Sequence, residues 1–146
     1  MEQKQLIIYI DGASRGNPGE AGAGVIIKDT KGWALCKVGY HLGKATNNQA
    51  EYQALLKALK LARQLQARRI TIRSDSELLV KQMNGEYRVK NEDLRVLFEE
   101  ARQIIQAFGV CKFEYVPREH NTEADRLANK AIDLKAITKE ISDEGR

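Results

Sequence analysis

The chain has no apolar run approaching the ~20 residues that a membrane-crossing helix needs, and no internal repeat or low-complexity segment. Its opening residues, MEQKQLIIYID, are too acidic and too short in their apolar part to read as a secretion signal. Cysteine is scarce. Cys36 and Cys111 both lie in apolar, strand-like segments and read as buried thiols, with a disulfide between them as the alternative. Histidine is as scarce, and His41 and His120 stand far apart, so the spacing of a structural zinc site is missing. Together these features lead us to expect a cytoplasmic protein without membrane contact. Charge is not lopsided either: 24 Lys and Arg against 20 Asp and Glu leave +4, which permits a polyanionic partner without requiring one. What is present is ordinary for a globular domain, 146 residues with 42% hydrophobic and 30% charged. That length suits one domain able to bury roughly 70% of its unfolded surface.

Apolar periodicity organises the chain as βββ-α-β-α-α-β-α. Residues 5–11 alternate as a strand, with Leu6, Ile8 and Ile10 on one face and Ile7, Tyr9 and Asp11 on the other. A glycine-rich loop follows, and then AGVIIKDTKGWALCKVGYHL reads as two strands around an Asp29–Gly32 turn. Tyr52, Leu55, Leu56 and Leu59 fall at i, i+3, i+4 and i+7 and mark a helix over 48–66. RRITIRSD is a fourth strand ending at Asp75, and SELLVKQMN a short helix. Asn91 caps a helix running to about Phe108, and CKFEYVP is a fifth strand stopped by Pro117. A last helix spans 122–134. Alternating strands and helices in the second half predict parallel pairing there, and the opening hairpin predicts an antiparallel edge. The fold class is therefore α/β, a five-stranded mixed sheet flanked by helices. Residues 1–135 form the domain and 136–146 a loose tail.

Four acids stand at element ends: Asp11, Glu51, Asp75 and Asp125. Glu51 and Asp125 sit in helix first turns, where a carboxylate favours the helix dipole. Asn48-x-x-Glu51, Ser74-x-x-Glu77 and Thr122-x-x-Asp125 also resemble loose capping boxes. Asp11 caps nothing, because a loop and another strand follow it. A buried carboxylate there needs hydrogen bonds or cations to stay ionised, the alternative being a loop turn built on that side chain. If the strands carrying Asp11 and Asp75 pair in parallel, both acids emerge at one sheet edge, the usual position of sites in open α/β sheets. Four converging carboxylates repel unless divalent cations neutralise them, and oxygen-only ligands suit Mg²⁺ or Mn²⁺.

The segments YIDGASRGNPGEAGAG, TNNQAEYQALLKAL, SDSELLVKQM and REHNTEADRLAN occur in this order, and together they resemble type 1 ribonuclease H over residues 5–133. The resemblance implies hydrolysis of the RNA strand of an RNA–DNA hybrid, leaving 5′-phosphate and 3′-hydroxyl ends. It also implies two Mg²⁺ ions, with Mn²⁺ as a substitute, held by Asp11, Glu51, Asp75 and Asp125. Asn17, Asn47, Asn48 and Gln49 match positions that touch the minor groove and 2′-hydroxyls, where amides can both donate and accept. For Asn47 and Asn48 helix capping is the competing role. Thr46 and Asn91 match positions holding a DNA-strand phosphate, and Asn91 serves equally as a plain N-cap.

Three departures stand out. The connection GEYRVKN, 85–91, replaces a longer basic insertion and leaves Arg88 and Lys90 as its cations, which predicts weaker, more salt-sensitive hybrid binding. Glu77 stands where relatives often carry a glutamine. His120 precedes Asp125 by five residues rather than about ten, so a proton-shuttling role falls to His120, is shared with Arg118, or is lost. A hybrid-binding module without activity and another nuclease on the same scaffold are the competing readings, and cleavage of double-stranded RNA is an open side activity. A monomer is expected.

Overall fold

The computed structural model describes residues 4–141. Ten main elements follow one another: β1 Gln5–Ser14, β2 Gly19–Lys28, β3 Ala34–Ala45, α1 Asn47–Gln64, β4 Arg69–Ser74, α2 Glu77–Met83, α3 Glu92–Ile104, β5 Val110–Tyr115, α4 Thr122–Leu134 and β6 Thr138–Glu140. The sheet order is β5-β4-β1-β2-β3-β6. β1, β4 and β5 run parallel, while β1, β2, β3 and β6 pair antiparallel. The mixed sheet and the element order agree with the sequence. The strand count does not, since the sheet has six strands rather than five.

The sixth strand lies in the segment the sequence assigns to a loose tail. Three residues carry almost no periodicity, so β6 is held by partners instead. Lys37, Val38 and Gly39 of β3 pair with it, and Glu140 accepts from both ends of the Arg126 guanidinium at 2.8 Å and from Lys130 Nζ at 3.1 Å. These contacts draw the Glu140 carboxyl down to about 2. Residues 142–146, the remainder of that tail, lie outside the described residues.

Strand alternation sends Leu6, Ile8, Ile10, Val25 and Ile27 to one face, where they pack with Leu55, Leu59 and Leu79 in the main core. α1 covers this face with α3 beside it. α4 alone packs the opposite face, over β1, β2 and β3, with Leu127 and Ala124 against Ile26. The glycines of the opening segment act here rather than in a flexible loop. Both β1 and β2 run into the glycine-rich stretch, leaving only residues 15–18 as the turn. A Cβ on Gly24 would run into the Ala124 carbonyl of α4, and one on Gly22 into the Ala128 carbonyl. Close approach of α4 is what those positions require.

Candidate active site

The register between β1 and β4 sets the centre. Ile10 lies opposite Ser74, so the next residues, Asp11 and Asp75, leave adjacent parallel strands side by side. Glu51 joins them from the first turns of α1. Gly12 lets this happen, because a Cβ there would strike the backbone of Ala50 and Glu51. With the two backbones in contact, Gly12 N–H donates to Glu51 Oε1 at 2.6 Å. One carboxylate oxygen from each of Asp11, Glu51 and Asp75 lies within 4.8 Å of the others.

Glu51 therefore caps nothing. The capping box of α1 is one residue pair earlier than the sequence suggests: Thr46 Oγ1 accepts from Gln49 N at 3.1 Å and Gln49 Oε1 accepts from Thr46 N at 2.9 Å. Ser76 rather than Ser74 caps α2, accepting from Leu79 N at 3.2 Å. Thr122 is not the cap of α4 either; Asn121 stands at that position and makes no side-chain cap bond. Released from capping, the acids are free to meet one another.

The electrostatics of that meeting are unfavourable without a cation. Asp11 is only 5% exposed. Burial first, then the charges of Glu51 and Asp75 and a hydrogen bond with Asp125, push its carboxyl far above the ordinary carboxylate range. Burial also raises Glu51; the Gly12 N–H opposes this, as does the Arg118 guanidinium more weakly. Asp125, in the exposed first turn of α4, is near enough to help raise Asp11 but is not among the three acids that converge within 4.8 Å. Its orientation is shared with Asn129, whose Nδ2 donates to Asp125 Oδ1 at 3.2 Å. An all-oxygen set, buried and crowded with like charge, fits a hard divalent cation such as Mg²⁺ or Mn²⁺.

Next to the acids, the β1–β2 turn is buttoned onto the start of α1. Asn17 Oδ1 accepts from Asn47 N at 3.2 Å, Asn47 Oδ1 accepts from Ser14 N at 3.0 Å, and Ser14 Oγ donates to the Ala45 carbonyl at 2.7 Å. Asn17, Thr46, Asn47 and Gln49 are thus brought together, with Asn48 exposed beside them. The oxygens of Asn17, Asn47 and Gln49 are engaged by backbone N–H groups, which leaves their NH₂ groups as donors.

Asn91 is the N-cap of α3, with Oδ1 accepting from Leu94 N at 3.0 Å. Arg88 and Lys90 are exposed and line a groove of about 470 Å³ with Gln82, Tyr87 and Phe98. That segment is anchored by a buried polar link the sequence did not reveal. Tyr52 donates to Gln82 Oε1 at 2.6 Å, and Gln82 Nε2 donates to the Arg88 carbonyl at 3.2 Å. Glu77 is exposed and pairs with Lys81 at 3.6 Å. His120 sits exposed in a 3₁₀ turn over 118–120, on the wall of a small cleft with Tyr9, Lys28 and Glu119. From this turn the charge that reaches Glu51 is that of Arg118. Cys36 and Cys111 are free thiols, as the sequence first suggests, but half-buried rather than buried.

A family described as reverse transcriptase-like matches residues 9–131. Ribonuclease HI of Halobacterium salinarum is 42% identical over 125 residues, covering 86% of this chain and 63% of that protein. A bifunctional protein of Mycobacterium tuberculosis is 41% identical over 133 residues, covering 90% of this chain. The chain spans only 36% of that mycobacterial relative. Among solved structures, RNase H1 from the halophilic archaeon Halobacterium salinarum superposes with a TM-score of 0.87 at 41% identity, covering 89% of this chain and 98% of that one. LC11-RNase H1 in complex with an RNA/DNA hybrid superposes with a TM-score of 0.86 at 41% identity, with the same coverage of both chains, 89% and 98%.

Proposed function

The chain belongs to the ribonuclease H family, type 1, and from that membership we propose that it hydrolyses the RNA strand of RNA–DNA hybrids, leaving 5′-phosphate and 3′-hydroxyl ends. The observation that carries the proposal is the convergence of Asp11, Glu51 and Asp75 oxygens within 4.8 Å. A module that only bound hybrid would gain nothing from concentrated negative charge beside a phosphate backbone. Bound among these oxygens, two divalent cations, Mg²⁺ or in its place Mn²⁺, would supply water activation at neutral pH and charge neutralisation at the leaving oxygen.

The protein's own residues do the rest. Asp11, Glu51 and Asp75 would hold the ions, and Asp125, exposed on α4, would complete the set. Gly12 N–H keeps one Glu51 oxygen oriented. The amide NH₂ groups of Asn17, Asn47 and Gln49, with Asn48, donate to the minor groove and the 2′-hydroxyl, the group that separates RNA from DNA. Thr46 and Asn91 hold a DNA-strand phosphate while also capping α1 and α3. Arg88 and Lys90 add charge along the flank. Arg118 lends positive charge beside Glu51, and proton exchange with the product would fall to His120 in the same turn, alone or shared with Arg118.

In this reading the protein acts as a cytoplasmic monomer. Double-stranded RNA is a secondary substrate, because it shares part of the A-form shape. The test is cleavage of an end-labelled hybrid beside double-stranded RNA and DNA of the same sequence, with Mg²⁺ and then Mn²⁺. RNA-strand cleavage of the hybrid is expected. Binding of the hybrid without cleavage under either ion would refute the proposal in favour of a binding module.

A further inference from the structure

Asn121 is 2% exposed and stands at the N-cap of α4. An asparagine there ordinarily accepts a hydrogen bond from the first helical turn. This one makes no such bond. Its Nδ2 turns inward, donating to the Ile10 carbonyl at 2.8 Å and reaching Asp75 Oδ2 at 3.5 Å. Its Oδ1 is buried with no donor among the described residues. Turning the amide over would set Oδ1 against the Ile10 carbonyl and the Asp75 carboxylate, so the donating orientation is the one that survives. A forgone cap and an unmatched buried acceptor both cost stability. A residue selected for stability alone at this position would cap the helix.

What the side chain achieves is a junction. Ile10 precedes Asp11 on β1, Asp75 follows β4, and Asn121 itself begins the helix carrying Asp125. The Asn121 carbonyl also accepts from Asp125 N at 3.2 Å. One buried residue therefore ties together the elements that present three of the four acids. We propose that Asn121 is the positioning residue of the carboxylate cluster, holding Asp75 and the start of α4 at the spacing that lets Asp11, Asp75 and Asp125 share divalent ions. The inference rests on the function proposed above and extends it to a residue outside the ligand set. Outer partners that orient carboxylate ligands govern metal affinity more than substrate affinity.

The test compares Asn121→Ala with Asn84→Ala. Asn84 makes a bond of the same kind away from the site, donating from Nδ2 to the Phe113 carbonyl at 3.2 Å. Each protein is titrated with Mg²⁺ and with Mn²⁺ while its thermal unfolding is followed without nucleic acid. kcat and KM for the hybrid are then measured across Mg²⁺ concentrations. For Asn121→Ala the half-saturating metal concentration should rise about tenfold or more in both readouts. KM for hybrid at saturating metal should stay within about twofold. Asn84→Ala should lower Tm with the metal dependence unchanged. Wild-type half-saturation in Asn121→Ala, whatever its Tm, would overturn the proposal. Should that variant not fold, Asn121→Ser, which keeps one donor, should show a smaller shift in the same direction, and a wild-type value there would overturn it equally. If the wild-type protein shows neither metal-dependent stabilisation nor cleavage, the function proposed above falls and this inference with it. A wild-type protein that binds metal and cuts, beside an unshifted Asn121→Ala, sinks this inference alone.

Discussion

Replacing Asp11 with asparagine should stabilise the protein when no metal is present. Asp11 is 5% exposed and its carboxyl is held far above the ordinary range by burial and by the neighbouring Glu51 and Asp75. Its folded-state value lies above its unfolded one, so the folded state binds the proton more tightly. The group's contribution to stability therefore falls as pH rises from about 4 toward the folded value. At pH 7.5 the folded protein must either keep a proton that the unfolded chain has released or tolerate the crowded charge. Protonation costs about 1.4 kcal/mol for each pH unit above the ordinary value of 3.8, which sets a ceiling of about 5 kcal/mol. Relaxation and partial hydration soften this, so we expect Asp11→Asn to gain about 2–4 kcal/mol, or roughly 5–15 °C in Tm for a chain of this size. The assay is thermal unfolding by circular dichroism in EDTA at pH 7.5 and again at pH 4. Near pH 4, close to the ordinary value of 3.8, keeping the proton in the folded state costs little, and the gain should shrink toward zero. An Asp11→Asn protein no more stable than wild type at pH 7.5, or one whose gain is the same at pH 4, would refute the reasoning.

Divalent ions should remove the same penalty. Adding Mg²⁺ or Mn²⁺ to the wild-type protein should raise Tm, and more at pH 8 than at pH 6, because protons compete for the same oxygens; Asp11→Asn should lose most of this response in the same thermal-unfolding titration. Gly24→Ala should cost about 1–3 kcal/mol by driving a methyl into the Ala124 carbonyl of α4, and denaturant unfolding should show it with the metal dependence intact. Replacing Arg88 and Lys90 together with alanine should weaken hybrid binding and reduce the slope of log K against log salt by about 1–2, measured by fluorescence anisotropy.

Much of this site was legible in the sequence because its parts sit at predictable places. Alternation along 5–11 and RRITIRSD, together with parallel pairing, is enough to bring Asp11 and Asp75 to one edge, and the Ile10–Ser74 register does so. Where local signals compete, the sequence misleads. Asn48-x-x-Glu51 and Thr46-x-x-Gln49 are both plausible capping boxes, and only tertiary contact with Gly12 decides that Glu51 turns away from the helix. Gly22 looks like a loop residue because glycine favours turns, yet it is a strand position where α4 presses close. β6 escapes notice because its three residues draw their stability from Arg126, Lys130 and β3 rather than from any pattern of their own. Asn121 is hidden differently. The sequence points to Thr122 as the cap of the last helix, and nothing in the order of residues says that the Asn121 amide before it will point into the sheet.

The most direct measurement is the rate at which the RNA strand of an end-labelled hybrid is cut by the wild-type protein and by Asp11→Asn in Mg²⁺, with circular dichroism confirming that both are folded. The account predicts metal-dependent cleavage by the wild type, with 5′-phosphate ends on the products, and a loss of rate of at least about 10³-fold in the variant, in keeping with removal of a group that acts on the reacting centre. Wild-type protein that is folded and binds metal but leaves the hybrid intact would contradict it, as would an Asp11→Asn protein that cuts at the wild-type rate.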